Sequence, residues 1–198
     1  MPKTRHELDR SAKVSELLDV ADRLFNDRGY SGTTTAALAE AAGVAQNAVY
    51  WYYPSKDDLF VAVLERMLDR LVGDIAKVER RPLVDQVLFA MDRLEQTQEL
   101  GAALAERARV SPAAATFQAK MGLTLRGTLL AAIERDSPGS DAELLADAIL
   151  AVADGTHGMP KKARRRLVSF VVSGLLAAPA QPAPTRRKPS ARPRRVRH

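Results

Sequence analysis

The chain has 198 residues, 46% of them hydrophobic and 27% charged, the balance of a globular protein in water. It has no cysteine, which excludes a disulfide framework and thiol chemistry. No apolar run approaches the roughly 20 residues of a membrane span, and the polar start MPKTRHELDRSAK is not a signal peptide, so a cytoplasmic protein with no membrane partner is expected. The net charge is +6, but seven basic side chains and no acid lie in 179–198, leaving the rest of the chain near neutral. Bulk charge therefore does not mark the folded part as a nucleic-acid binder, and geometry must carry that argument.

Only 5% of the residues are aromatic, so the core must be mainly Ala, Leu and Val. No long stretch alternates at a period of two, and the expected class is all-α with about nine helices. Residues 1–10 read as a mobile arm. Val14, Leu17, Leu18, Ala21, Leu24 and Phe25 form one stripe of a helix over about 11–28, with Gly29 suited to a left-handed cap. Two short helices follow over about 35–42 and 46–52. Thr34 can cap the first, Gly43 allows the tight turn between them, and Pro54 stops the second. Ser55 and Asp58 resemble a capping box opening a long helix over about 56–74. Five more helices are expected to residue 178, with breaks near 81–82, 99–101, 111–112, 137–139 and 159–160. Ser140 with Glu143 reads as a capping box. The last helix carries the stripe Leu167, Phe170, Val171, Gly174, Leu175 and Ala178, widened by Val168, Val172 and Leu176. Residues 179–198, rich in Pro, Ala and Arg, read as a disordered basic tail.

The informative stretch is GTTTAALAEAAGVAQNAVYWYYPSKDDLF, residues 32–60. Reading a major groove needs a short rigid helix whose first turn projects polar side chains at base edges. Gln46 and Asn47 hold that place, and their amides both donate and accept, as a bidentate contact to adenine requires. Tyr50 can donate to a phosphate, Lys56 can reach the backbone again, and Thr34 is placed for a phosphate on the other side. The rings of this cluster pack either on sugars or on inner helices; Trp51 can be core, and Tyr53 reads as core. The acids Asp19, Asp22 and Asp27 are expected on the solvent side.

These residues resemble the TetR family of regulators over about 14–64, from the apolar helix ending in LFNDRGY, through the Thr pair, LAEAAGV and AVYWYYPSKDDLF, into the long helix after it. The resemblance implies a three-helix helix-turn-helix DNA-binding domain over 1–55 and a helical effector-binding and dimerisation domain over 56–178. It places Gln46, Asn47 and Trp51 at base-facing positions and Thr34, Thr35, Tyr50 and Lys56 at phosphate-contacting ones. Ala45 departs from it, standing where a capping Ser or Thr is common, and so does Ala36, where some members carry a long polar side chain. The implied function is a repressor released from a near-palindromic operator by a small molecule, with no cofactor, no metal and no enzymatic activity.

The two final helices are apolar on more than one face, so a homodimer through them is expected; the alternative is the centre of a monomeric bundle. Phe117, Met121 and Leu125, four residues apart, either line an apolar ligand pocket or are ordinary core. Arg126 and His157 are polar groups in apolar surroundings. They are candidate ligand contacts, although Asp154 and His157 can equally pair with each other. The basic run Lys161, Lys162, Arg164, Arg165 and Arg166 reads as a solvated face. Two functional hypotheses remain: the ligand-responsive repressor, and an effector-independent architectural DNA-binding protein acting through the basic tail. The three histidines, His6, His157 and His198, form no metal or catalytic cluster, which makes an enzyme the weakest reading.

Overall fold

The structure is a computed structural model that describes residues 5–156 and 158–177, with side chains from residue 12 onward. The arm, apart from 5–10, and the basic tail lie outside the described residues. The described chain is all-helical: α1 (Arg5–Gly32), α2 (Thr35–Ala41), α3 (Gln46–Tyr52), α4 (Lys56–Lys77), α5 (Leu83–Glu95), α6 (Gln98–Arg107), α7 (Pro112–Asp136), α8 (Ala142–Gly155) and α9 (Lys161–Ala177). α1 begins earlier than its apolar stripe, at Arg5, and is kinked at Gly29, whose φ of 68° only glycine adopts freely. The break between α5 and α6 falls at 96–97, just before the expected Glu99–Gly101.

Two apolar cores organise these helices. The first joins α1 to α4 with α6 and the start of α7; Phe25, Leu38, Val49, Leu59, Phe60 and Phe117 are its large members. Phe25 meets Phe60 edge-on with centroids 5.1 Å apart, and Tyr30 lies 4.9 Å from Phe60. Burying one such ring contributes about 1.5–3 kcal/mol. The second core joins α5, the end of α7, α8 and α9 through Leu83, Leu88, Ile133, Ile149, Val168 and Val172. The 25-residue α7 enters both cores, with Ala114 and Phe117 in the first and Ala132 and Ile133 in the second.

The structure departs from three of the sequence expectations. The cap of α8 is Asp141, whose carboxylate accepts the Leu144 N–H at 3.1 Å. Ser140 instead donates to the Ser137 carbonyl in a turn closed by Gly139 at φ 84°, which moves the helix start past it. On α9 the inward residues are Arg164, Val168 and Val172, while Leu167 and Phe170 of the expected stripe face outward. The basic run is not a wholly solvated face either. Arg164 is only 4% exposed, because its Nη2 bonds Glu95 Oε2 at 2.5 Å and Asp92 Oδ1 at 3.2 Å on α5. Lys161 and Arg165 flank the same Asp92 at 3.4 and 3.7 Å. The acids of α5 explain how cations are tolerated at a helix start, where the helix dipole disfavours them.

Arg164 is therefore structural and its neighbour Arg165 is not. Urea unfolding is expected to show Arg164→Ala less stable by about 1–3 kcal/mol, since it removes a buried side chain and its charged hydrogen bonds to Asp92 and Glu95. Arg165→Ala is expected within about 0.5 kcal/mol of the parent. Equal effects would contradict the assignment.

Candidate nucleic-acid interface

The site is built from the loop after α1 onward. Thr33 is fully buried, and its hydroxyl bonds the carbonyls of Leu24 at 3.0 Å and Gly29 at 2.8 Å, closing the kink of α1. Thr34 is exposed and caps α2 by accepting the Ala37 N–H at 3.1 Å, so its own hydroxyl proton stays available to an outside acceptor. Gly43, at φ 63°, turns the chain, and Val44 donates its N–H back to the Ala39 carbonyl at 3.0 Å. α3 then begins at Gln46. Its preceding residue Ala45 has extended backbone and offers no side-chain cap, as the sequence implied.

Val49 fixes the orientation of α3. It is buried in the first core. At about 100° per residue, Asn47 and Trp51 fall opposite Val49 and Gln46 and Tyr50 fall on its flanks, and all four are exposed. Trp51 is 69% exposed and meets Tyr52 edge-on, with centroids 5.7 Å apart. This resolves the choice left open by the sequence: Trp51 is not core. Tyr53 is half-buried and packs on the first core. The Tyr50 hydroxyl donates to Thr35 Oγ1 at 3.3 Å, linking α3 to the first turn of α2. Thr34, Thr35, Gln46, Asn47, Tyr50 and Trp51 thus sit on two short helices held together by one turn.

Lys56 opens α4 beside this pair. Ser55 caps the helix, accepting the Asp58 N–H at 3.1 Å and donating to the Asp58 carboxylate at 2.6 Å. The Lys56 ammonium lies 4.0 Å from the centroid of the Tyr30 ring, and partial burial pulls its pKa down. Next to it is a network the sequence did not reveal. Asp57 takes a two-pronged contact from Arg107, Nε to Oδ1 at 3.0 Å and Nη2 to Oδ2 at 2.8 Å, and accepts the Tyr30 hydroxyl as well. The end of α1, the start of α4 and the end of α6 meet on one carboxylate. Arg107 holds the Asp57 pKa below its ordinary value, with Tyr30 adding to the effect against burial. Burial and the bond to Asp57 push the Tyr30 phenol far up. The acids of α1 are paired to α4 as well: Asp19 with Arg66 at 2.6 Å, and the partly buried Asp22 with Arg70 at 2.8 Å. Asp27 is exposed.

The residues expected around a ligand separate in the structure. Phe117 is buried in the first core and Met121 packs against it. Arg126 forms ion pairs with Glu143 and Asp147 of α8. Leu125 lines an apolar cavity between α4, α5, α7 and α8, and His157 lies outside the described residues. The other walls of that cavity come from α5 and α8, which the four-residue spacing along α7 had no means of indicating.

The sequence profile of the bacterial regulatory proteins, tetR family, matches residues 17–63, which are the stripe of α1, the α2–turn–α3 unit and the first turns of α4. The head of the chain is thus similar to the DNA-binding part of the TetR family. Outside this head the likeness thins. The transcriptional regulator AcrR of Shigella flexneri is 41% identical over 63 residues, 32% of this chain and 28% of that protein. The transcriptional regulator BetI of Rhizobium meliloti is 27% identical over 166 residues, 79% of this chain and 80% of that one. The chain spans 28% to 34% of the length of AcrR and two further regulators matched through the head. A crystal structure of a transcriptional regulator from Rhodococcus sp. Rha1 superposes with a TM-score of 0.67 at 25% identity, covering 84% of this chain and 99% of that one. The likeness of fold to that regulator therefore extends through the body as well as the head.

The depressed Asp57 pKa adds stability that is fully present above the ordinary aspartate range and is lost as pH falls through 3.8 and below. Asp57→Asn is expected to cost about 1.5–3 kcal/mol at neutral pH, the worth of hydrogen bonds to a charged group. Below pH 5 its stability is expected to fall less steeply than the parent's. Chemical unfolding across pH 3 to 7 checks both; parallel pH profiles would contradict the network.

Proposed function

We propose that this protein is a TetR-family, sequence-specific DNA-binding transcriptional regulator, a repressor that leaves a near-palindromic operator when a small molecule occupies its body. One observation carries the reading: Val49 anchors α3 so that the amides of Gln46 and Asn47 and the rings of Tyr50 and Trp51 all face outward. Two adjacent amides on an exposed first turn suit base edges in a major groove. Thr34, Thr35 and Lys56 surround them as donors for phosphates, and Tyr50 joins them by exchanging its bond to Thr35 for one to a phosphate, fixing register. In this reading residues 1–55 form the DNA-binding head, 56–178 the effector and dimerisation body, and 179–198 a basic extension adding salt-sensitive, non-specific affinity.

The protein acts as a homodimer through α8 and α9. Leu144 on α8 and Leu167 and Phe170 on α9 are exposed on the single chain, Phe170 by 78%. A second copy covers this apolar face by two-fold symmetry. Dimerisation delivers two α3 helices to half-sites one or more helical turns apart, about 34–36 Å per turn. Effector release then requires that the ligand bind more weakly to the DNA-bound form. No described helix is long and apolar enough to cross a membrane, which is consistent with work on DNA in the cytoplasm.

Selection of duplexes from a random pool, followed by anisotropy titrations, tests the assignment of roles. Gln46→Ala is expected to relax preference at particular base pairs, by about 1–3 kcal/mol for each bidentate pairing it removes. Lys56→Ala is expected to weaken all duplexes alike and to flatten the salt slope by about one charge. Identical behaviour of the two variants would contradict it.

The dimer face is tested by sedimentation. Phe170→Lys is expected to weaken self-association by more than about tenfold, as removal of a central aromatic anchor does. An unchanged sedimentation profile would show that α9 does not carry the dimer.

A further inference from the structure

Lys56 stands beside a carboxylate in the chain and yet does not pair with it. Both oxygens of Asp57 are taken, by the two prongs of Arg107 at 3.0 and 2.8 Å and by the Tyr30 hydroxyl. Lys56 forms no ion pair with any described residue. Lys13, Lys77, Lys120 and Lys161 each do, reaching a carboxylate at 2.8 to 3.4 Å.

The Lys56 ammonium rests instead over the Tyr30 ring, 4.0 Å from its centroid. The negative face of the ring attracts a cation placed there. The ring itself is held in place. Phe60 lies 4.9 Å from it, Phe25 stacks on it at 6.0 Å, and its hydroxyl is bound to Asp57. Arg107 approaches the same ring, its guanidinium carbon 5.4 Å from the centroid. Two cations thus share one ring, and Asp57 compensates the charge of Arg107. The charge left for an outside anion is that of Lys56. A lysine on a long flexible stem loses side-chain freedom when it grips a phosphate. A ring that already holds the ammonium removes part of that cost before the anion arrives. Partial burial has also stripped water from the ammonium, which a phosphate repays.

We propose that Tyr30 is a positioning residue for DNA binding: its ring holds the Lys56 ammonium ready for a backbone phosphate, while its hydroxyl and Arg107 keep Asp57 from capturing that ammonium. The inference rests on reading Lys56 as a phosphate contact. Tyr30 acts through Lys56, so its effect on DNA must vanish when Lys56 is gone.

A double-mutant cycle in the full chain tests this, with anisotropy titrations of the selected and a random duplex. Tyr30→Leu is expected to weaken both duplexes alike by about three- to tenfold, the worth of the cation–ring contact, with base preference unchanged. In the Lys56→Ala background the same change is expected to cost less than about twofold. Tyr30→Phe keeps the ring, and Arg107 still holds both oxygens of Asp57. It is expected to melt lower than the parent, having lost a charged hydrogen bond, yet to bind DNA within about twofold of it. Tyr30→trifluorophenylalanine keeps the ring shape and weakens its negative face. It is expected to lose affinity as Tyr30→Leu does, again only while Lys56 is present. If Tyr30→Leu does not fold, the fluorinated variant in the two backgrounds decides. Equal losses with and without Lys56 would show that Tyr30 only supports the fold, and would overturn the proposal. So would a Tyr30→Phe protein as weak as Tyr30→Leu, or a fluorinated one as tight as Tyr30→Phe. A Lys56→Ala protein that binds DNA like the parent, with the same salt slope, overturns the phosphate reading of Lys56 and the proposal together. A normal Lys56→Ala effect without coupling to Tyr30 overturns the proposal alone.

Discussion

The carboxylate of Asp57 is where the head and the body of this molecule are joined. Arg107 reaches it from the last turn of α6 and Tyr30 from just past the kink of α1, while Asp57 itself sits in the first turn of α4. Beneath them Phe25, Tyr30 and Phe60 pack ring against ring. The outward placement of α3 depends on this join, because α2 and α3 have only seven residues each and are too short to hold a fixed orientation unaided. Their rigidity is borrowed from the core that α1, α4, α6 and α7 build around Leu38 and Val49.

The same join gives the body a physical route to the head. α4 runs from Lys56, beside the proposed phosphate contacts, to Ile75, which lines the cavity. α6 ends on the Asp57 network, and α7 passes from the first core into the wall of the cavity. An occupant that pushes α4, α5, α7 and α8 apart therefore acts on elements that also set the angle of the head. Coupling between the two sites needs only that the ligand favour one of two packings of these helices.

The head was legible in the sequence because its signals are local. Thr34 caps α2, Gly43 makes the turn and Ser55 caps α4, each within a few residues of the feature it controls. Gln46 and Asn47 were legible as candidates for the same reason. What escaped depends on partners far along the chain. Arg107 is 50 residues from Asp57, and Arg164 finds Asp92 and Glu95 about 70 residues away, so a run of five basic residues hid one buried cation among its exposed neighbours. Ser140 and Asp141 compete for one cap, and only the turn geometry at Gly139 decides between them. On α9 the apolar residues nearly encircle the helix, and which arc faces the core is set by α5 and α8 rather than by the periodicity of α9 itself.

The central claim is that the outward face of α3 is the surface that enters DNA. The chain has a single tryptophan, Trp51, and it stands on that face. Acrylamide quenching of its fluorescence, with and without a saturating selected duplex, therefore reports on this face with no competing indole. The account predicts that the duplex shields Trp51, lowering its quenching constant severalfold, while a random duplex at the same moderate salt shields it far less. Equal quenching in the free and the saturated protein would contradict the account.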